Sequence, residues 1–93
     1  MNKKLEIKEG MVIHIKTKEQ DKKISKLLDG NGYRWWVSGH SLLEKSYFDE
    51  HGSDYCIRIW DDKTVGYESK QWFEYQGFTI TDVEEILKEY GVE

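Results

Sequence analysis

An α+β domain is the architecture this chain predicts: a small mixed, mainly antiparallel sheet with two to three helices packed on one face. Three observations carry the prediction. Short runs of apolar–polar alternation mark strands, and two threonine-led capping boxes mark helix starts. The elements follow as strand, helix, strand, irregular segment, hairpin, helix, strand, helix, and a mixed sheet with helices on one face satisfies that order. The other face is then left for solvent, a partner subunit or binding. All 93 residues fit one domain, residues 1–93.

Leu5-Glu6-Ile7-Lys8 alternates, and Glu9-Gly10 is a turn signal. Met11–Lys16 reads as a strand with Met11, Ile13 and Ile15 on one face, and Leu5–Ile7 is its candidate hairpin partner. Thr17-Lys18-Glu19-Gln20 has the form of a capping box, and Ile24, Leu27 and Leu28 make one helical stripe. Gly30-Asn31-Gly32 ends that helix, because Gly and Asn tolerate left-handed cap geometry.

Tyr33–Val37 returns as a strand, with Tyr33, Trp35 and Val37 on one face and Arg34 and Trp36 on the other. Ser38–Asp54 is the least regular stretch. Leu42, Leu43, Tyr47 and Phe48 have the makings of a short helix, and Asp49–Asp54 reads as an exposed loop. Tyr55–Trp60 alternates again, and Thr64–Tyr67 follows the Asp61-Asp62-Lys63 turn as its hairpin partner. Ser69 caps a short helix running to Gln76, with Trp72, Phe73 and Tyr75 as inward candidates. Phe78–Ile80 is a short strand. Thr81-Asp82-Val83-Glu84 is the second capping box, and the last helix carries Val83, Ile86, Leu87 and Tyr90.

Composition narrows the function classes. Thirteen aromatics, 14% of the chain, can build most of a core in which aliphatics are scarce, and any clustered surplus marks a binding face or a homo-oligomer contact. A net charge of −4 argues against a general nucleic-acid binder. Cys56 is the only cysteine, so no internal disulfide forms, which fits a reducing cytoplasm. No apolar run approaches the ~18 residues of a membrane span, and no apolar signal core follows Met1-Asn2-Lys3-Lys4. The expectation is a soluble cytoplasmic protein.

The residues singled out for binding are Arg34, Trp36, Ser38, Gly39, His40, Ser41 and Lys45, with Arg58 and Trp60 as a second group. An aromatic face stacks a nucleobase, Arg and Lys neutralise phosphate, Gly39 lets main-chain amides approach an anion, and serines add donors. Arg58 and Trp60 lie opposite Tyr55, Ile57 and Ile59. If that strand pairs near Tyr33–Val37, Arg34, Trp36, Arg58 and Trp60 share one surface. The plainer alternatives are a core strand and turn with Arg34 and Lys45 solvated, and a self-satisfied Arg–Trp cluster. Trp35 goes with Tyr33 and Val37 to the core, while Trp36 is the better contact residue.

Other chemistries find little support. His14, His40, His51, Asp49, Glu50 and Asp54 lack the spacing of a zinc or EF-hand site, so no metal and no cofactor are expected. Cys56 sits in an apolar strand, where thiols are inert. Ser41 beside His40 does not make a nucleophile–base geometry, and no enzyme is expected.

The chain resembles a broad group of short bacteriophage and prophage αβ proteins. The likeness is carried by Thr17, by Gly32-Tyr33-x-Trp35 and Ser38-Gly39, and by the Tyr55–Ile59 strand. Lys63-Thr64-Val65 with Tyr67, the helix started by Ser69, and Gly77-Phe78-Thr79-Ile80 extend it. The resemblance implies an accessory protein acting in conflict with the host. With the Trp–Arg cluster, it leads to a non-enzymatic counter-defence protein that sequesters a small anionic ligand such as a signalling nucleotide, in a pocket between subunits of a homo-oligomer. The alternatives are a protein-binding inhibitor of a host defence enzyme or complex, and a small virion or assembly protein.

Overall fold

Strand β1 (Val12–Ile15) is buried at all four positions and has a neighbouring strand on each side. A computed structural model describes residues 7–60 and 62–92. The candidate hairpin Leu5–Ile7 falls largely outside the described residues. Helix α1 (Lys18–Gly30) begins with the expected reciprocal box: Thr17 Oγ1 accepts from the Gln20 amide at 3.2 Å, and Gln20 Oε1 accepts from the Thr17 amide at 3.1 Å. Gly32, at φ +88°, carries the chain out of the helix through a conformation that L side chains resist.

The remaining elements are β2 (Arg34–Trp35), α2 (Phe48–His51), β3 (Tyr55–Ile59), β4 (Thr64–Ser69), α3 (Lys70–Tyr75), β5 (Ile80–Asp82) and α4 (Val83–Glu89). The five strands form one mixed sheet in the order β2-β4-β3-β1-β5. The central β4-β3-β1 pairs are antiparallel, and the edge strands β2 and β5 run parallel to their neighbours. The fold class is the α+β architecture the sequence predicts.

One face of the sheet holds the main core. Ile13 and Ile15 of β1 and Tyr55, Ile57 and Ile59 of β3 meet Ile24 and Leu28 of α1 and Ile86 and Leu87 of α4 there. Trp35 joins them, packing edge-on to Tyr47 at 4.9 Å, and Tyr47 stacks on Tyr67 at 4.0 Å. Much of the aromatic surplus is absorbed in this cluster. On the opposite face Val12, Cys56 and Phe73 form a smaller core with Phe78 and Ile80. Helix α3 therefore lies across the sheet from α1 and α4, so the helices are not all on one face as the sequence predicts: Phe73 is drawn to the apolar patch of Val12 and Cys56, and the second face is partly covered.

Several boundaries differ from the sequence reading, each for a local reason. Strand β2 is two residues rather than Tyr33–Val37, because the chain turns back: the Gly39 amide donates to the Trp35 carbonyl at 2.8 Å and the Trp35 amide to the His40 carbonyl at 3.0 Å. Residues 42–44 form a turn, residues 45–47 are irregular, and a single helical turn starts only at Phe48. It continues into a 3-10 turn at Gly52–Asp54, where the sequence predicts a plain loop. Strand β5 sits two residues later than Phe78–Ile80, drawn by pairing of Ile80 with Val12 and Asp82 with His14. The last helix is capped by Asp82, not Thr81, with Asp82 Oδ1 accepting from the Glu84 amide at 2.9 Å. In α3 only Phe73 is buried, while Trp72 is 43% and Tyr75 86% exposed. No helix among the described residues is long and apolar enough to cross a membrane.

Candidate functional site

The second face of the sheet carries a groove of about 340 Å³ between β2, the β3–β4 hairpin and α3. Its construction starts at Gly66. Register places Gly66 beside Arg58 of β3, and on its other side Trp36 follows β2, its amide donating to the Val65 carbonyl at 3.0 Å. The Trp60 indole folds back over Gly66, so a Cβ there would stand 2.9 Å from Trp60 Nε1. Only a bare main chain admits the ring at that distance.

Side chains then stack across the face. Trp36 and Trp60 have ring centroids 6.3 Å apart at a 35° tilt. The Arg58 guanidinium carbon lies 4.0 Å from the Trp60 centroid and 4.7 Å from that of Phe78, so the cation is held between two rings. Arg58 Nε and Trp60 Nε1 are buried without a hydrogen-bond partner among the described residues. On the far wall Ser69 Oγ accepts from the Trp72 amide at 3.2 Å, which starts α3 and sets Trp72 at the groove. Glu68 lines the floor, with Oε1 accepting from the Ser69 amide at 3.0 Å. Trp36 and Val37 are 63% and 62% exposed at the rim.

Three of the residues read from the sequence thus meet: Trp36, Arg58 and Trp60. They do so without direct pairing of their strands, since β4 lies between β2 and β3 and Gly66 is the bridge. The other six are not in the groove lining. Arg34 is exposed and joins the main-chain ladder through its amide to the Lys63 carbonyl at 3.0 Å. Ser38 Oγ accepts from the His40 amide, and Gly39 adopts φ +73° in the turn. His40 Nδ1 is 3.4 Å from Glu44, and Ser41 Oγ donates to Asp29 of α1 at 2.7 Å. The Lys45 ammonium lies 5.2 Å from the Tyr47 ring centroid. Ser38–Lys45 fastens β2 to α1 rather than forming an anion cradle beside the tryptophans.

Sequence reasoning missed Val37, Gly66, Tyr67, Glu68, Trp72 and Phe73 as lining residues. A glycine inside a strand pattern was the available signal for Gly66. The sequence predicts Trp72 facing inward, because helical spacing alone does not say which of two adjacent aromatics meets the sheet.

A second constellation sits further along the same face. Cys56, His14 and Asp82 occupy one row across β3, β1 and β5. The row is not arranged for nucleophilic chemistry. The thiol is fully buried, and burial pushes its pKa up to about 12. His14 Nε2 is 2.6 Å from the Ser53 carbonyl, and Asp82 is paired with Lys16 at 2.6 Å. Burial raises the Asp82 carboxyl, but the Lys16 hydrogen bond and charge and the Glu84 amide outweigh it and hold it below the usual range. No group of three or more His, Cys, Asp or Glu able to hold a metal ion occurs among the described residues. Comparisons with family models, curated proteins and solved structures give no match.

Proposed function

We propose that the protein is a non-enzymatic binding protein that engages a partner protein through the tryptophan groove. With the phage-type resemblance, the reading is an accessory factor that docks on a host defence enzyme or complex. One observation carries it: Trp36, Trp60 and Trp72 converge on one groove while Trp36, Val37 and Trp72 remain exposed at its rim. Trp, Tyr and Arg dominate binding hot spots, and a preformed apolar groove with exposed aromatic walls provides such an anchor. The buried thiol and the committed His14 support a role without catalysis.

A small anionic ligand such as a signalling nucleotide is the second reading, supported by Arg58 at the groove and the indole faces available for stacking. It ranks lower because Ser38, Gly39, His40, Ser41 and Lys45 are engaged elsewhere, and because Glu68 puts a carboxylate on the floor.

Capture from host lysate on immobilised wild type and on Trp36→Ala tests the first reading, with equal thermal stability of both forms as the control. A protein retained by the wild type and lost by the variant is the expected result. Retention indifferent to Trp36, or none at all, overturns it. A thermal-shift panel of cyclic and ADP-ribose-type nucleotides tests the second, since a ligand at 100 times its Kd stabilises by about 2.7 kcal/mol.

A further inference from the structure

The ladder between β2 and β4 stops one rung short, and the groove opens where it stops. Strand β2 pairs with β4 only through Arg34–Thr64 and Trp35–Val65. The chain then turns at Trp36, held by the Gly39 amide on the Trp35 carbonyl. On β4 the main-chain directions follow from the hairpin. The Trp60 amide donates to the Thr64 carbonyl, so, with period two, Gly66 and Glu68 exchange bonds with β3 while Val65 and Tyr67 point outward. The Val65 carbonyl is taken by the Trp36 amide. The N–H and carbonyl of Tyr67 come next, and neither has a partner among the described residues. The Tyr67 ring stacks on Tyr47 on the other face, which leaves its main chain to meet the groove it lines.

An open rung beside an apolar groove specifies an extended chain, because main-chain groups need a main-chain partner and alternate side chains fall on alternate faces. A residue paired opposite Glu68 would send its side chain into the groove, between the Trp36 and Trp72 walls. There it meets the free oxygen of a carboxylate and indole faces, a combination that favours Lys or Arg. The guanidinium of Arg58 is no competitor for that place, being bracketed by Trp60 and Phe78. The net charge of −4 favours approach of a basic segment.

We infer that the partner enters as an extended basic segment. It adds a short strand to the open edge of β4 at Tyr67 and places a Lys or Arg side chain along Trp36 and Trp72 toward Glu68. The inference rests on the groove reading above and names the occupant's chemistry.

The probe is the peptide acetyl-Thr-Val-Lys-Val-Thr-amide, titrated into the full chain and followed by tryptophan fluorescence and calorimetry. Companions replace its Lys by Glu or norleucine, or carry one N-methyl group at each amide in turn. The expected result is saturable binding weakened at least about tenfold by the Glu peptide and by N-methylation at one amide only. Glu68→Gln and Trp36→Ala should each weaken it, the former with the shape of the side chain retained. Equal binding of the Lys, norleucine and Glu peptides, indifference to N-methylation, or no binding at millimolar peptide overturns the inference. So does concentration-dependent pairing of two copies through β4 that excludes the peptide. If host-protein capture needs Trp36 while no peptide binds, strand addition falls and the groove reading stands.

Discussion

Trp60 lies over Gly66 so closely that Nε1 is 2.9 Å from the position of a glycine Cβ. That contact lets an indole cross β4 and meet Trp36 on the far side, and it turns a flat sheet face into a groove. Gly66→Ala should force the ring away. The indole has little room to yield, since Arg58 stacks on it at 4.0 Å. We expect a net loss of about 1–3 kcal/mol, the usual scale of overpacking, with the gain in strand propensity a smaller opposing effect. Urea denaturation and the native tryptophan emission read it. Unchanged stability together with an unchanged spectrum would contradict the contact.

Two adjacent tryptophans should behave oppositely. Trp35 is 2% exposed and donates its indole N–H to the Lys45 carbonyl at 2.7 Å. Trp35→Phe removes that hydrogen bond and leaves the smaller ring to fill a buried site, a change of roughly 1–3 kcal/mol. Trp36, 63% exposed, should give Trp36→Ala a change below about 1 kcal/mol. Equilibrium unfolding of the two variants side by side decides the matter, and the reverse order would place the wrong ring in the core.

Asp21 is a buried acid on α1 that accepts from Ser46 Oγ at 2.6 Å. Desolvation raises its pKa above the ordinary 3.8, and the Ser46 hydrogen bond only partly offsets that. With the folded value above the unfolded one, the folded state holds the proton more tightly, so this group's contribution falls as pH rises from 3.8 through the folded value. Its ionised form opposes folding at neutral pH. Asp21→Asn keeps an oxygen acceptor for Ser46 and should be more stable than wild type at pH 7, the gain shrinking as pH falls toward 3.8. Melting temperatures across that range test it; a variant less stable at pH 7 would mean that the carboxylate's hydrogen bonds outweigh its burial.

Local chemistry was legible in the sequence wherever it involves neighbours in the chain. The Thr17–Gln20 box, the Ser69 cap and the Gly30–Gly32 stop depend on groups within four residues, and each stands where the residues place it. The cap of α4 slipped by one residue because Thr81 and Asp82 are both good caps, and pairing of Thr81 with Ile13 in β5 left Asp82 at the boundary. The split between Trp35 and Trp36, and between Ile57 and Arg58, was legible because successive side chains of a strand alternate faces.

What the sequence determined by itself is therefore a set of capped helices and two-sided strands, the α+β class, and the face on which Trp36, Arg58 and Trp60 would lie. Tertiary structure alone decided that β4 separates β2 from β3, that Gly66 brings the three side chains together, and that Trp72 rather than Ser38–Lys45 completes the groove. It also left the β4 edge open at Tyr67. The physical reason is range: capping and alternation act within a turn or a pleat, whereas strand order and register are set by which apolar faces can be buried together across the whole chain.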